Sequence, residues 1–469
     1  MASDNTMRDG GVRCSSQTKG GLPPSPRMPA WLQTVALRRW PVSYLELCRS
    51  RLGPCFTVFV LDMPPLVFLS DPLDIEAVLA APPSALQPGI GTALIAPLIG
   101  ERSFMLCDDE TRKAVRAAVS PVFRRGAKRH SGEVVETIAR DAITSWPTNQ
   151  PVALYPRLSI LALRVILRLL LGDDHESEYL GTRLLNMLSV ARSFVIQEPR
   201  LRNVPGWRSS WRRFQHQRGE VDQTLSRMIR RPDADGLECP SAVTMLRNIR
   251  NQGAPLTEQE ISDDLLSLIV AGHETTASAL AWACLFLAHN RSAQRRLIEE
   301  IDHGESTELM NATMLETLRL GPVFLFAIPR AVATPIDIGT TTYYPPAQLL
   351  ACTYLMHHDP ALYPEPYRFL PERFMEGMPP NPIWKPWGGG QRRCLGQHIA
   401  EIEMQTILRE VLRAYELVPV GTHLESPGWR SAILAPCSGA SVLLQPRVPR
   451  ITCRRHAQAH CSQHWSRRL

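Results

Sequence analysis

The chain has 469 residues, of which 44% are apolar, and carries a formal net charge of +7. This length and apolar content are enough for a sizeable hydrophobic core. Only four of the 52 basic residues are lysines, and no basic stripe alternates with aromatic residues, which argues against a nucleic-acid partner.

In chain order, the first predicted elements are short and mixed. Residues 1–34 are polar and rich in Gly, Ser and Pro, which predicts a disordered N-terminal segment. Residues 55–60 and 66–69 are predicted as strands, and residues 71–79 as a helix that begins at the Asp-Pro pair. Residues 82–106 show little periodicity and are interpreted as one long ordered loop, a length that is often functional.

Helical patterns dominate the middle of the chain. They run from residue 108 to about residue 231, and a longer helix is predicted from Glu258 to Ala288. Thr257 and Glu260 form a capping box at its start. Short strand-like runs follow within residues 323–355. The predicted fold class is therefore mainly α with small β-sheets.

The chain ends in a basic tail, residues 446–469, that is predicted to be disordered. Its Cys and His residues could bind zinc, although their spacing fits no standard site. The eleven cysteines of the whole chain lack a paired spacing, which predicts reduced thiols in a cytoplasmic protein. No run of about 18 uninterrupted apolar residues occurs, so no integral membrane anchor is expected.

The long helix contains a polar turn, Ala271-Gly-His-Glu-Thr-Thr276. Glu274 and Thr275 offer an acid and a hydroxyl that could relay protons. The hydroxyl of Thr275 could also bond to an earlier carbonyl, and Gly272 could let a flat ligand approach the backbone. The alternative interpretation is a buried helix that tolerates one polar turn.

Two further motifs carry charged residues. Glu316-Thr-Leu-Arg319 places an acid and a guanidinium on one face of a helix. Arg373, within Pro371-Glu-Arg-Phe374, is a candidate third partner. By itself, each motif is more typical of a solvated face than of a site.

Cys394 lies in the glycine-rich run Trp387-Gly-Gly-Gly-Gln-Arg-Arg-Cys-Leu-Gly396, directly before an amphipathic stretch. Backbone N–H groups and the dipole of the next helix would both favour a thiolate. Most single cysteines are small buried hydrophobes, but this pattern is far more specific. Haem would fit this loop, because its iron binds an axial ligand and its propionates bind cations.

The four motifs in this order resemble the cytochrome P-450 family of haem-thiolate monooxygenases. The resemblance covers residues 35–445, which it identifies as one haem domain. It implies the cytochrome P-450 fold, with the long central helix over a haem b (iron protoporphyrin IX) and a Cys-ligand loop. Within the family, the sequence is similar to the soluble bacterial branch.

The resemblance also implies roles for single residues. Cys394 is expected to be the axial ligand of the haem iron, and Glu274 and Thr275 the catalytic pair on the opposite face. Glu316, Arg319 and Arg373 are expected to form a structural network that holds the cysteine loop. The residues expected to contact the cofactor besides Cys394 are Arg112, Arg116, Arg330, Trp387, Gly390, Arg392 and Gly396.

Two of these positions depart from the usual family pattern. Trp387 replaces the phenylalanine that usually lies near the ligand sulfur, and Arg112 is unusual at its position. The segment 302–312 also looks shortened, so that a minor helix could be absent. None of the three removes a catalytic group.

The resemblance implies a lipophilic substrate such as a fatty acid, terpenoid or polyketide of secondary metabolism. The substrate is expected to contact residues 82–106, residues 175–215 and the apolar run Val323–Ala327. Electrons would come from a ferredoxin or flavodoxin with its NAD(P)H reductase, because the sequence shows no flavin or iron–sulfur module of its own. Arginines including Arg409 and Arg413 could make the docking face basic, or could simply be solvated.

Other functions stay open at this stage. The protein is expected to be a monomer. It could be a haem-binding sensor or carrier without turnover, although the Glu274–Thr275 pair argues against that. It could also be a haem-thiolate isomerase, dehydratase or peroxygenase.

Overall fold

The computed structural model describes residues 21–447, apart from residues 108–109, 124–127, 173–174, 192–201, 203, 205–207, 232–240, 252, 305, 376, 378–381 and 431. Helices form most of the ordered elements, so the predicted class, mainly α with small sheets, is confirmed. The α-helices are α1 (Ala30–Arg39), α2 (Pro41–Leu52), α3 (Pro72–Ala80), α4 (Pro88–Thr92), α5 (Ala96–Ile99), α6 (Glu110–Val119), α7 (Lys128–Thr144), α8 (Leu154–Leu171), α9 (His175–Ala191), α10 (Arg208–Arg230), α11 (Ala242–Arg247), α12 (Glu258–His289), α13 (Arg291–His303), α14 (Glu308–Leu320), α15 (Thr353–His357) and α16 (Gln397–Ala414).

The strands are short and lie mainly at the two ends of the chain. They are β1 (Cys55–Val58), β2 (Leu66–Leu69), β3 (Leu86–Gln87), β4 (Pro151–Ala153), β5 (Arg250–Asn251), β6 (Ala254–Pro255), β7 (Arg330–Val332), β8 (Ile336–Ile338), β9 (Thr341–Tyr343), β10 (Gln348–Ala351), β11 (Tyr415–Pro419), β12 (Pro427–Arg430), β13 (Ile433–Pro436) and β14 (Ser441–Pro446). The largest sheet has the order β1-β2-β10-β7-β3, and a second has the order β11-β14-β4. The pairs β5–β6, β8–β9 and β12–β13 stand alone.

The central helix α12 is 32 residues long, and it spans roughly 48 Å at about 1.5 Å per residue. The predicted capping box is present, with Thr257 and Glu260 bonded reciprocally. Every residue from Ala277 to Ala288 is buried, because α8, α14, α16 and β13 pack around this half of the helix. A helix that is apolar on all sides is stable only inside a core. α12 is therefore the central helix against which the other elements pack.

Other local predictions are also confirmed. β1 and β2 form an antiparallel pair with Phe56 opposite Phe68. Asp71 caps α3, since its carboxylate accepts from the backbone N–H of Leu73 and Asp74. The link between α13 and α14 spans only residues 304–307, which agrees with the shortened segment.

The predicted loop at residues 82–106 is wrong in part. The segment is ordered, but it contains β3, α4, α5 and a 3-10 turn at Ala93–Ile95. Helices of four or five residues complete little more than one turn. They are therefore too short to show a helical periodicity in the sequence.

The predicted disorder of residues 30–34 is wrong, because these residues form the first half of α1. Gln33 and Thr34 are buried, and their side-chain oxygens accept from the backbone N–H groups of Phe59 and Leu61, each at 2.9 Å. This order depends on contacts with the β1–β2 hairpin. A polar N-terminal sequence could not reveal such contacts.

The C-terminal boundary also differs slightly from the predicted one. β14 ends at Pro446, and Arg447 donates to the carboxylate of Asp302 at 2.6 Å, so both residues belong to the folded domain. The remaining tail, with the candidate zinc ligands Cys453, His456, His460, Cys461 and His464, lies outside the described residues. Within the described ranges, no helix is long and apolar enough to cross a membrane.

Candidate active site

The loop before α16 places one cysteine at the start of a long helix. The backbone N–H of Cys394 donates to the carbonyl of Trp387 at 3.0 Å, which closes the loop. Gly390 has a φ of +59°, and a Cβ there would lie 2.0 Å from the carbonyl oxygen of Leu79 in α3. Only glycine fits this position. The loop therefore rests on α3. It presents Cys394 two residues before Gly396, the residue that directly precedes α16.

The electrostatics of Cys394 combine opposing influences. The residue is exposed by surface area, yet burial among surrounding protein atoms raises the pKa of its thiol. The backbone N–H of Gly396 and the charges of Arg116 and Arg393 lower that pKa. The effect of the loop backbone that was inferred from the sequence is thus present, but burial outweighs it.

The four arginines that were predicted to contact the cofactor lie around this loop. Arg112 is buried and donates to the carbonyl of Gln391 at 3.0 Å. Arg392 donates to the carbonyls of Met105, at 2.8 Å, and Cys107. Arg330 is buried at the start of β7 and lines a small cleft with Gln391 and Arg392.

Arg116 completes this group on α6. Burial lowers the pKa of its guanidinium, the nearby Cys394 raises it, and the charge of Arg392 lowers it further. Several cations around one thiol repel one another. An anionic ligand at this place would relieve that repulsion and would accept their hydrogen bonds.

The hydrogen bond from Thr275 to an earlier carbonyl, which the sequence suggested, is present in the polar turn of α12. Glu274 is buried and Thr275 half-buried. The Thr275 hydroxyl donates to the carbonyl of Ala271 at 2.6 Å, and the Thr276 hydroxyl donates to that of Gly272 at 3.0 Å. Hydroxyl groups that donate to the backbone carbonyl four residues earlier often bend a helix.

Gly272 lies where α12 packs closely on α8. A Cβ at Gly272 would lie 2.9 Å from the side chain of Ile166 in α8. The glycine thus permits close packing of these two helices, and the approach of a flat ligand at this position stays a prediction.

Sequence reasoning missed Glu403, a fully buried carboxyl group on α16. It interacts with the hydroxyl of Thr276, and burial raises its pKa well above the usual range for a glutamate. Glu403 therefore faces the polar turn of α12 from α16, and one of its carboxyl oxygens is buried without a hydrogen-bond partner among the described residues. One signal was available, since Glu403 falls between Ile399 and Ile407 on the buried stripe of an amphipathic helix.

The structure brings Glu316, Arg319 and Arg373 together in one cluster. Glu316 and Arg319 are fully buried and form a two-pronged ion pair, with N–O distances of 2.7 and 2.8 Å. The Nε of Arg373 lies 3.4 Å from the same carboxylate. Arg319 also donates to the carbonyls of His357, at 2.9 Å, and Pro366, at 2.7 Å.

A chain of contacts connects this network to the cysteine loop. Arg319 bonds the carbonyl of His357, and the Nε2 of His357 accepts from the backbone N–H of Lys385 at 3.2 Å. Lys385 precedes Trp387 by two residues, and its carbonyl accepts from Gly388 at 3.2 Å. The buried ion pair therefore supports the start of the loop that carries Cys394.

Sequence reasoning also missed Arg218, which anchors the segment before α6. Its guanidinium donates to the carbonyl of Pro97 at 3.1 Å and to the carboxylate of Asp263 in α12 at 2.9 Å. Asp263 also accepts from the backbone N–H of Arg102 at 3.0 Å, and Asp264 from that of Phe104 at 2.7 Å. The segment predicted to contact substrate is thus tied to both α10 and α12.

A Gly390→Ala variant is expected to be destabilised by about 1–3 kcal/mol, because a residue with a side chain is strained at a positive φ and its Cβ would overlap the carbonyl of Leu79. Urea unfolding followed by circular dichroism measures the change. Gly421→Ala is the control, since a Cβ there meets no atom within 4 Å. Equal stability of the two variants would contradict the proposed close contact.

Comparison with known proteins defines the class of this protein. A family model described as cytochrome P-450 matches residues 22–443. The chain therefore belongs to the cytochrome P-450 family of monooxygenases, as its motifs predicted.

Two mycobacterial relatives and two solved structures are similar over nearly the whole chain. Cytochrome P-450 135B1 of Mycobacterium tuberculosis is 33% identical over 91% of this chain and 92% of its own length. Cytochrome P-450 135A1 of the same organism is 30% identical, over 91% and 96%.

The structure of a cyanobacterial CYP120A1 with retinoic acid bound has a TM-score of 0.78 at 20% identity, over 91% of this chain and 99% of its own. CYP175A1 from Thermus thermophilus has a TM-score of 0.73 at 24% identity, over 91% and 100%. At such identities the two structures show the fold alone, and they confirm the predicted cytochrome P-450 fold.

The family implies a haem-thiolate cofactor, and the donor set of this site fits that group. One accessible sulfur lies at a helix start, with the Arg116 and Arg392 charges close by. Arg112 and Arg330 are buried around the same loop. A soft anionic ligand and several cations match an iron and two propionates.

Proposed function

We propose that the protein inserts one oxygen atom from O2 into a lipophilic small molecule, as a haem-thiolate monooxygenase with an external electron donor. The observation that supports this function best is the linkage of two helices. α16 begins just after Cys394, and its Glu403 interacts with Thr276 in the polar turn of α12. Cys394 thus lies at the start of one helix and the Glu274–Thr275 pair lies within another, and these two helices pack together.

Each residue has a distinct proposed role. Bound haem would supply the oxidising chemistry. Cys394 would ligate its iron, and the guanidinium groups of Arg112, Arg116, Arg330 and Arg392 would hold its propionates. Gly390 and Gly396 would shape the loop that presents the sulfur to the cofactor.

Trp387 and the polar turn would control the access of water and protons to the site. The half-buried indole of Trp387 would exclude water from the sulfur. Glu274 would hold a proton inside the site, and the hydroxyl of Thr275 would pass it on by exchanging its bond to the carbonyl of Ala271. Glu316, Arg319 and Arg373 would keep the cysteine loop in place.

A lipophilic substrate is supported by two segments that pack together. In α4, a Cβ at Gly91 would lie 2.0 Å from the carbonyl oxygen of Pro329, so α4 touches the strand that follows Val323–Ala327. Large apolar side chains remain exposed on both segments, namely Ile90, Leu94 and Phe324. Such surfaces suit an apolar ligand such as a fatty acid, terpenoid or polyketide.

The proposed electron donor is a ferredoxin or flavodoxin, with its NAD(P)H reductase, in the cytoplasm. Arg393, exposed beside Cys394, would contribute to a basic docking face. Arg413 is less available, because it pairs with Glu410 at 2.6 Å, and Arg140 pairs with the same carboxylate. That part of the face is better described as a solvated ion-pair network.

The decisive experiment supplies haem-loaded protein with a ferredoxin, its reductase, NADPH and a panel of lipophilic compounds under labelled O2. Incorporation of one labelled oxygen atom into product supports the proposal. A sensor or carrier would consume no reductant in response to ligand, and an isomerase, a dehydratase or a peroxide-driven enzyme would form product without label from O2.

A Thr275→Ala variant is expected to form at least about tenfold less product per NADPH consumed, because one hydroxyl of the proton relay is lost. The lost electrons should appear as hydrogen peroxide or water. The matched control is Thr137→Ala, whose hydroxyl donates to the carbonyl of Glu133 at 2.8 Å on the exposed side of α7. Unchanged coupling in the Thr275 variant would remove this residue from the proposed relay.

A further inference from the structure

Large apolar side chains are concentrated on one face near the N-terminus. We define the α1 surface as Trp31, Val35, Trp40, Phe59 and Leu61, which come from α1, its C-terminal end and the turn between β1 and β2. Trp31 is 54% exposed, Val35 48%, Trp40 57% and Leu61 51%. Single exposed apolar residues are common, but a group of this size marks a site of interaction.

The members of the α1 surface are neighbours. Trp31, Thr34, Val35 and Arg38 follow the i, i+3, i+4, i+7 spacing, so they share one stripe of α1. The hydroxyl of Thr34 accepts from the backbone N–H of Leu61 at 2.9 Å, which places the exposed turn against that stripe.

Phe59 is attached in the same way. Its backbone N–H donates to the side chain of Gln33 at 2.9 Å. The opposite side of α1 packs on the core through Ala36 and Leu37, so the helix has one buried face and one apolar face that is open.

The charge around the α1 surface is positive. Residues 21–45 contain Arg27, Arg38 and Arg39 and no acidic residue. Arg27 and Arg39 are exposed, and the guanidinium of Arg39 lies 5.4 Å from the ring centre of Trp40. Asp62, beside Leu61, adds one carboxylate at the edge.

We infer that the α1 surface binds the headgroup region of a bilayer that contains anionic lipids. Tryptophan side chains favour the boundary between headgroups and acyl chains, and arginines near them attract anionic lipids. Two copies of this surface facing each other would bring their arginines together, which argues against self-association. The inference does not rest on the proposed function, since binding to a bilayer needs no turnover.

The test is vesicle co-sedimentation of the full-length, haem-loaded protein. Vesicles of phosphatidylcholine alone are compared with vesicles that also contain phosphatidylglycerol, at low and high salt. We expect binding to the anionic vesicles, weaker binding at high salt, and a blue shift of tryptophan emission on binding. The Trp31→Ser/Val35→Ser variant should partition at least about tenfold less, because it removes two apolar anchors. Arg27→Gln/Arg39→Gln should bind less and with a weaker salt dependence.

The matched control is Trp429→Ser/Ile160→Ser, which removes the same number of exposed apolar side chains elsewhere. It should bind like the unmodified protein. The carbon monoxide difference spectrum reports whether each variant is folded and loaded. Three results would overturn the inference: no binding to anionic vesicles, equal loss in the control variant, or a dimer in sedimentation velocity that only the Trp31→Ser/Val35→Ser variant disrupts.

Discussion

A Cys394→Ser variant supplied with haem is expected to lose the strongly red-shifted Soret band that thiolate-ligated haem shows when reduced under carbon monoxide. Its monooxygenase turnover should fall at least about 100-fold, because the loss of a contact behind a metal ligand already costs roughly 10–100-fold and this change removes the ligand itself. The physical reason is that a serine oxygen donates much less electron density to the iron than a thiolate does.

The control for this prediction is Cys437→Ser. Cys437 is also a free and exposed cysteine, but it follows β13, away from the loop of Cys394. Its spectrum and turnover should match those of the unmodified protein. If Cys394→Ser kept the red-shifted band, another residue would be the ligand and the proposed function would fail with it.

Removing the charge of Arg319 should have the largest effect on stability. An Arg319→Met variant leaves the carboxylate of Glu316 buried, with only the longer contact to Arg373 and the backbone N–H of Leu370. It also leaves the carbonyls of His357 and Pro366 without this donor. Breaking a buried ion pair costs about 3–5 kcal/mol. We expect that loss in urea unfolding, together with reduced haem content.

The chain contains a matched control for this change. Glu365 and Arg368 have the same i, i+3 spacing and are also in ion-pair contact, but their side chains are 56% and 65% exposed. Arg368→Met should change the free energy of unfolding by less than about 1 kcal/mol, because solvent screens exposed pairs. Similar losses in the two variants would show that burial does not set the strength of the Glu316–Arg319 pair.

Much of the site could be predicted because its parts are local in sequence. The spacing of Glu316 and Arg319 fixes them on one face of any helix. Thr257 and Glu260 cap a helix whose apolar pattern is long and regular. The glycines around Cys394 require a tight loop at the start of α16. Each of these inferences needs only the geometry of one element, and each agrees with the structure.

Other features could not be predicted because they depend on distant segments. Arg218 meets Pro97 and Asp263 only after the chain has folded back on itself. The order of residues 30–34 likewise comes from hydrogen bonds to the β1–β2 hairpin. The net pKa shift of Cys394 depends on how many protein atoms surround it. The sequence shows the nearby glycine and arginines but not that burial.

The sequence by itself determined the family, the mainly helical class and the identity of the proposed iron ligand, because these depend on residue types at short fixed spacings. Only the tertiary structure decided which groups surround that ligand. It brought Arg112, Arg116, Arg330 and Arg392 to one loop, joined Glu403 to Thr276 and left the α1 surface exposed. Burial and electrostatic interactions depend on distances in space, and those exist only once the core has packed.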